Sequence, residues 1–101
     1  MHYYEGKLSL LSTNQGGRKT PLFSDYRGGL FKIDGDHFGS SIELIDQTEL
    51  MPGETAQVRV TFLAPKALNL VTSRIRLGSY YEICEGAKLI GTLLIEKTAS
   101  N

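Results

Sequence analysis

The chain has 101 residues, eleven lysines and arginines balanced by eleven aspartates and glutamates, and a single cysteine. That length suits one domain with a modest core, and zero formal net charge supplies no global positive field to gather a polyanion or a membrane surface. Cys84 alone closes no internal disulfide, the longest apolar run is far short of the roughly 20 residues of a membrane helix, and no charged-then-apolar leader follows Met1, so a cytoplasmic protein with no membrane contact is expected.

Hydrophobic alternation with glycines at the joints predicts strands nearly throughout. In Tyr4 to Leu11, the residues Tyr4, Gly6, Leu8 and Leu10 share one face while Glu5, Lys7 and Ser9 share the other, the pattern of a half-buried strand. Thr13 to Ser24 holds Asn14, Gly16, Gly17 and Pro21, and that density of breakers predicts a long exposed loop. Gly29 to Ile33 and Phe38 to Leu44 read as a hairpin around Asp34-Gly35-Asp36, whose Asp-Gly step favours a tight reversal. Pro52-Gly53 fits a type II turn and launches Ala56 to Ala64, where Val58, Val60 and Phe62 alternate with Gln57, Arg59 and Thr61. Pro65 ends that strand. Lys66 to Leu70 is predicted as one helical turn, and strand pattern resumes from Arg74 to Leu77 and from Tyr80 to Cys84. Glu85-Gly86-Ala87 turns the chain into a last strand, Lys88 to Glu96, and Lys97 to Asn101 is expected to be a loose tail. Many short strands spaced by turns predict an all-β barrel or sandwich, since closure removes exposed edges.

Chemistry is sparse. No Gly-x-x-x-x-Gly-Lys-Ser/Thr loop is present to cradle a nucleotide's phosphates. His2 and His37 stand far apart with no cysteine or second histidine beside them, so no zinc site is expected. Asp34-Gly35-Asp36 opens like a calcium loop, but Ile45 occupies the twelfth position where a bidentate Glu belongs. Gly39-Ser40-Ser41 lacks the setting of a serine nucleophile, and Glu82 and Glu85 disfavour a thiolate at Cys84, which reads as a strand-end packing residue. The expectation is a protein without catalysis, cofactor or metal. Arg18, Lys19 and Arg27, with Tyr26 and Phe23 interleaved, form the one arrangement suited to a phosphate backbone or a stacked base. The plain alternative is a loop anchored by Thr20, Pro21 and Phe23 whose charges keep it soluble.

Three segments occur in order: Gly16-Gly17-Arg18-Lys19-Thr20-Pro21-Leu22-Phe23-Ser24-Asp25-Tyr26-Arg27, then Ile42-Glu43-Leu44 with Leu50-Met51-Pro52-Gly53-Glu54, then Ile83-Cys84-Glu85-Gly86-Ala87-Lys88-Leu89-Ile90-Gly91. Together they resemble the third domain of elongation factor Tu, over about Tyr3 to Lys97. The resemblance implies a six-stranded antiparallel β-barrel of Greek-key type, closed or partly open. In the full factor that domain packs on a second barrel, helps hold aminoacyl-tRNA by the T stem and contacts the nucleotide exchange factor. It also implies that Arg18 and the next residue face tRNA, with Lys19 where the family commonly has His. Gly29, Ala64 and Cys84 stand where the family has a Gln, in some members a Lys, and an Arg. Losing two cations weakens phosphate binding, while Glu85 and Gly86 keep the turn. The connection from Pro65 to Tyr81 is several residues longer than in the family.

The expectation from residues and resemblance together is a single free-standing barrel over residues 1–101 that docks on a protein partner connected with translation. The candidate contact residues are Arg18, Lys19, Tyr26, Arg27, Glu85, Gly86 and Lys88. The alternative is weak, salt-sensitive binding of tRNA or other structured RNA through the Arg18-Lys19 loop with Arg27 and Lys88. A barrel separated from its neighbours exposes former interface, which a partner or a homodimer then covers.

Overall fold

The computed structural model describes residues 2–100, and the side chains of 3–64 and 69–98. In chain order the strands are β1 (His2–Leu10), β2 (Leu22–Phe23), β3 (Tyr26–Ile33), β4 (Asp36–Leu44), β5 (Glu49–Leu50), β6 (Thr55–Phe62), β7 (Tyr80–Glu85) and β8 (Lys88–Ser100), with helix α1 (Pro65–Thr72) between β6 and β7. Six of them close into an antiparallel barrel in the order β1-β6-β4-β3-β7-β8, while β2 and β5 pair as a separate two-stranded ribbon. The strands β3, β4 and β6 follow one another, and β7 returns through the α1 connection to lie beside β3. That spatial order is a Greek key.

The alternation read from the sequence is what fills the barrel. Leu8, Phe31, Ile42, Val58, Val60, Ile83, Ile90, Leu93 and Ile95 have no exposed surface, and Tyr4, Leu10 and Ile33 are nearly as deep. Each such side chain contributes roughly 1.5–3 kcal/mol of burial, so inward-facing positions, not loops, hold the fold. The β3–β4 hairpin turns on Asp34 and Gly35, both at positive φ (52° and 87°), as the tightest two-residue turns require.

Antiparallel closure gives the barrel two ends. One gathers the 11–25 and 45–54 connections and the β7–β8 turn; the other gathers the β3–β4 turn and the 63–79 connection. At the second end, Phe31 meets Phe62 edge to face at 5.3 Å and Tyr81 at 5.3 Å, and Val71 of α1 is fully buried against this cluster's end of the core.

Three expectations are corrected. Arg74 to Leu77 is not a strand. The Arg74 and Ile75 amides both donate to the Val71 carbonyl, which winds the chain out of α1, and Gly78 at φ 87° turns it towards β7. The helix itself runs eight residues, not one turn, because Pro65 starts it with a preset φ and burial of Val71 rewards continuing it. Nor is Lys97 to Ser100 a loose tail. It continues β8, with Glu5 opposite Lys97, Tyr4 opposite Thr98, Tyr3 opposite Ala99 and His2 opposite Ser100. The first half of β1 otherwise has a free edge, and pairing satisfies its backbone groups. Asn101 of the expected tail lies outside the described residues.

No helix among the described residues is long and apolar enough to cross a membrane.

Candidate functional site

The Arg18 segment leaves β1 through a short 3-10 turn, Thr13–Gln15, with a reciprocal cap: the Gln15 amide donates to Ser12 Oγ and the Ser12 amide to Gln15 Oε1. Gly16 (φ 88°) ends that turn, and the Thr13 hydroxyl donates to the Arg18 carbonyl at 2.9 Å. Four residues on, Leu22 is fully buried and pairs with Leu50, also fully buried. The stretch expected as an open loop is thus pinned at both ends. The anchor is Leu22; Phe23, offered as an anchor by the sequence, is 58% exposed, because alternation along β2 sends it to the opposite face.

Arg18, Tyr26 and Glu85, named from distant parts of the sequence, meet here. Tyr26 opens β3 and Glu85 ends β7. Arg18 Nη1 and the Tyr26 hydroxyl both donate to Glu85 Oε2. Arg18 Nε donates to the Thr20 carbonyl (3.3 Å), and Nη2 to Thr20 Oγ1 (3.3 Å) and the Pro21 carbonyl (3.2 Å). The guanidinium also lies over the Tyr26 ring, 5.2 Å from its centroid, a cation–π contact. Gly28 and Gly29 give the ring room: a Cβ at either position would stand 3.0 to 3.2 Å from Tyr26 side-chain atoms. A bulge between Tyr26 and Gly29 sets the ring back over them.

The electrostatics follow from this packing. Burial first, then the hydrogen bond to Glu85 and its charge, push the Tyr26 phenol well above its ordinary pKa, outweighing the opposing pull of Arg18. The phenol stays a neutral donor to the Glu85 carboxyl group. The Arg18 side chain is only 16% exposed. A guanidinium has five N–H donors, and the four hydrogen bonds above leave a single one. Arg18 is therefore a clamp between the loop and the barrel wall.

The other candidates divide differently. Gly86 sits at φ 60° and reverses the chain between Glu85 and Lys88, which face each other across the turn. Lys19, Arg27 and Lys88 are exposed and form no ion pair with a described residue. All seven candidates lie at one end of the barrel, three in the clamp and three as outward cations around the Gly86 turn.

Sequence reasoning missed the β2–β5 ribbon and the acids on its flank. A two-residue strand gives no periodicity, and the pairing of Phe23 with Glu49 has no local signal. Cys84 is buried at 6%, as a packing residue should be. No protein-family model matches this chain.

Proposed function

We propose that this chain is a non-enzymatic binding module, a free-standing barrel of the elongation factor Tu third-domain type that docks on a protein partner connected with translation. The observation that carries this reading is the engagement of Arg18. The residue best placed by resemblance to hold a phosphate has its guanidinium on Glu85, Thr20 and Pro21, so phosphate contact there requires breaking an internal ion pair. Exposed apolar side chains support the same reading. Leu63, Leu70 and Leu77 on the α1 connection and Tyr80 at the start of β7 are 48, 51, 57 and 69% exposed, and large apolar groups left in water at one end of a small domain suit a protein surface better than RNA.

One observation favours the RNA alternative: Lys19, Arg27 and Lys88 are exposed, unpaired among the described residues, and on the same end. Titration of labelled aminoacyl-tRNA at about 50 and 200 mM salt separates the two, since several phosphate contacts change affinity by orders of magnitude over that span. The docking reading expects no binding at the lower salt, and a photo-crosslinker at Leu70 joined to one defined protein in cells. Salt-sensitive micromolar binding that Arg27→Glu weakens would replace it with the RNA reading.

A further inference from the structure

Of the ion pairs among the described residues, Arg18–Glu85 lies at the end that carries the β2–β5 ribbon, Arg74–Asp36 lies at the other end, and the rest run along the barrel wall. Glu5, Asp36, Glu43, Glu82, Glu85 and Glu96 each have a cationic partner. Asp25, Asp34, Asp46, Glu49 and Glu54 have no ion pair among the described residues, and all are exposed; Asp34 sits in the β3–β4 turn at the other end. The other four lie on the 11–25 and 45–54 connections, the same end as the unpaired Lys19, Arg27 and Lys88. Between the two sets stands the β2–β5 ribbon. Its register, Leu22 opposite Leu50 and Phe23 opposite Glu49, turns both leucines into the core. Phe23 and Glu49 therefore stand on the outer face, and alternation puts Pro21 and Met51 there too. Phe23 is 58% and Met51 45% exposed.

The charges are sorted across that face. On the β2 side, Lys19 precedes the strand and Arg27 follows it, and the β3–β7 register brings the Gly86 turn with Lys88 alongside; Asp25 lies within this flank and lowers its charge. On the β5 side, Asp46, Glu49 and Glu54 are followed by no cation until Arg59. We propose that the outer face of the ribbon is where two copies of this chain meet across a two-fold axis. An axis running along the ribbon lays β2 of one copy over β5 of the other, so the basic flank meets the acidic flank twice, and by the ribbon's register Phe23 of each copy lies over Glu49 of the other and Met51 over its Pro21, which covers both apolar side chains. An apolar strip with unpaired charges of opposite sign on its two sides is self-complementary. A uniformly basic or acidic partner meets like charges on one flank, which costs affinity. This inference does not rest on the docking reading, whose exposed apolar residues Leu63, Leu70, Leu77 and Tyr80 lie at the opposite end of the barrel.

Sedimentation equilibrium of the whole chain at about 50 and 500 mM salt tests it, because flank pairing at the rim weakens as the Debye length shortens. The expected result is a dimer at low salt that weakens at high salt, a Kd raised at least tenfold by Phe23→Asp, and no change with Leu70→Ser at the other end. A second arm uses complementary reversals, each checked for folding by circular dichroism: Lys19→Glu with Arg27→Glu in one chain, Asp46→Lys with Glu49→Lys in another. Neither associates alone, and an equimolar mixture recovers the dimer. A monomer at several hundred micromolar, a dimer indifferent to Phe23→Asp, or reversals that fail to rescue one another overturns the proposal. A monomer that still crosslinks from position 70 overturns it and leaves the docking function in place.

Discussion

At the scale of single residues, the clamp of Arg18, Tyr26 and Glu85 decides what the basic loop can do. One carboxylate oxygen takes two donors, from a loop and from a strand start, and it joins residues 59 and 67 positions apart. Both charges are partly shielded (16 and 32% exposed), so losing one partner leaves the other without compensation. A double-mutant cycle with Arg18→Ala and Glu85→Ala is expected to give a coupling of about 1–3 kcal/mol by urea denaturation. Arg18→Lys is expected to recover little of it, since an ammonium lacks the planar fork that serves Glu85, Thr20 and Pro21 together. Tyr26 adds a pH signature. Its phenol titrates above its ordinary value of 10.0 in the folded chain, so the folded state retains a proton that the unfolded state has released. The stability it contributes is fully present below about pH 10 and is lost as pH rises further. Urea midpoints at pH 8 and 11 are therefore expected to show wild type losing its advantage over Tyr26→Phe at the higher pH.

At the scale of elements, the ribbon of β2 and β5 turns a glycine-rich loop into a fixed platform. Its inward face is Leu22 and Leu50, both fully buried, and its outward face is Phe23 and Met51. Neighbouring residues of the same strand thus have opposite weights in stability. Leu22→Ala is expected to cost about 2–5 kcal/mol, and Phe23→Ala, at a protein concentration where the chain is monomeric, less than about 0.5 kcal/mol. Equal losses in thermal denaturation would refute this assignment of faces. The helix α1 makes a comparable division: Val71 enters the core while Leu70 stays half exposed.

At the scale of the whole molecule, closure is made by β1, which pairs with β6 on one side and β8 on the other. The seam with β8 joins the two ends of the described chain, residue 2 to residue 100. A chain ending after Glu96 loses the pairings of residues 2–5 and the Lys97–Glu5 ion pair at 3.5 Å, leaving Glu5, only 9% exposed, without that partner. Such a truncation is expected to lower Tm by about 5–10 °C, the shift that 1–2 kcal/mol produces in a domain of this size, as measured by scanning calorimetry.

Most of the barrel was legible in the sequence because a strand's inward face repeats every second residue. Val58 and Val60, or Tyr4, Leu8 and Leu10, carry that period in their own order, and Asp34-Gly35 marks its turn through backbone preference alone. The strand assigned to Arg74 to Leu77 failed because Ile75 packs on the barrel core as the chain leaves α1 while Leu77 stays exposed, and neither has a neighbouring strand to pair with. Lys97 to Ser100 looked like a tail because its polar residues show no period, yet β1 needed a ladder partner there. The candidate residues were also readable as types: cations beside aromatics, and an acid at a glycine turn. Their roles were not. Whether Arg18 faces solvent or Glu85, and whether Phe23 or Leu22 anchors the loop, depends on which strands the barrel sets side by side. Local order in the sequence determined strand, turn and inward face, since those follow from short-range sterics and period. Only tertiary closure decided which charges cancel and which remain outward, because an ion pair is fixed by distance in space rather than along the chain.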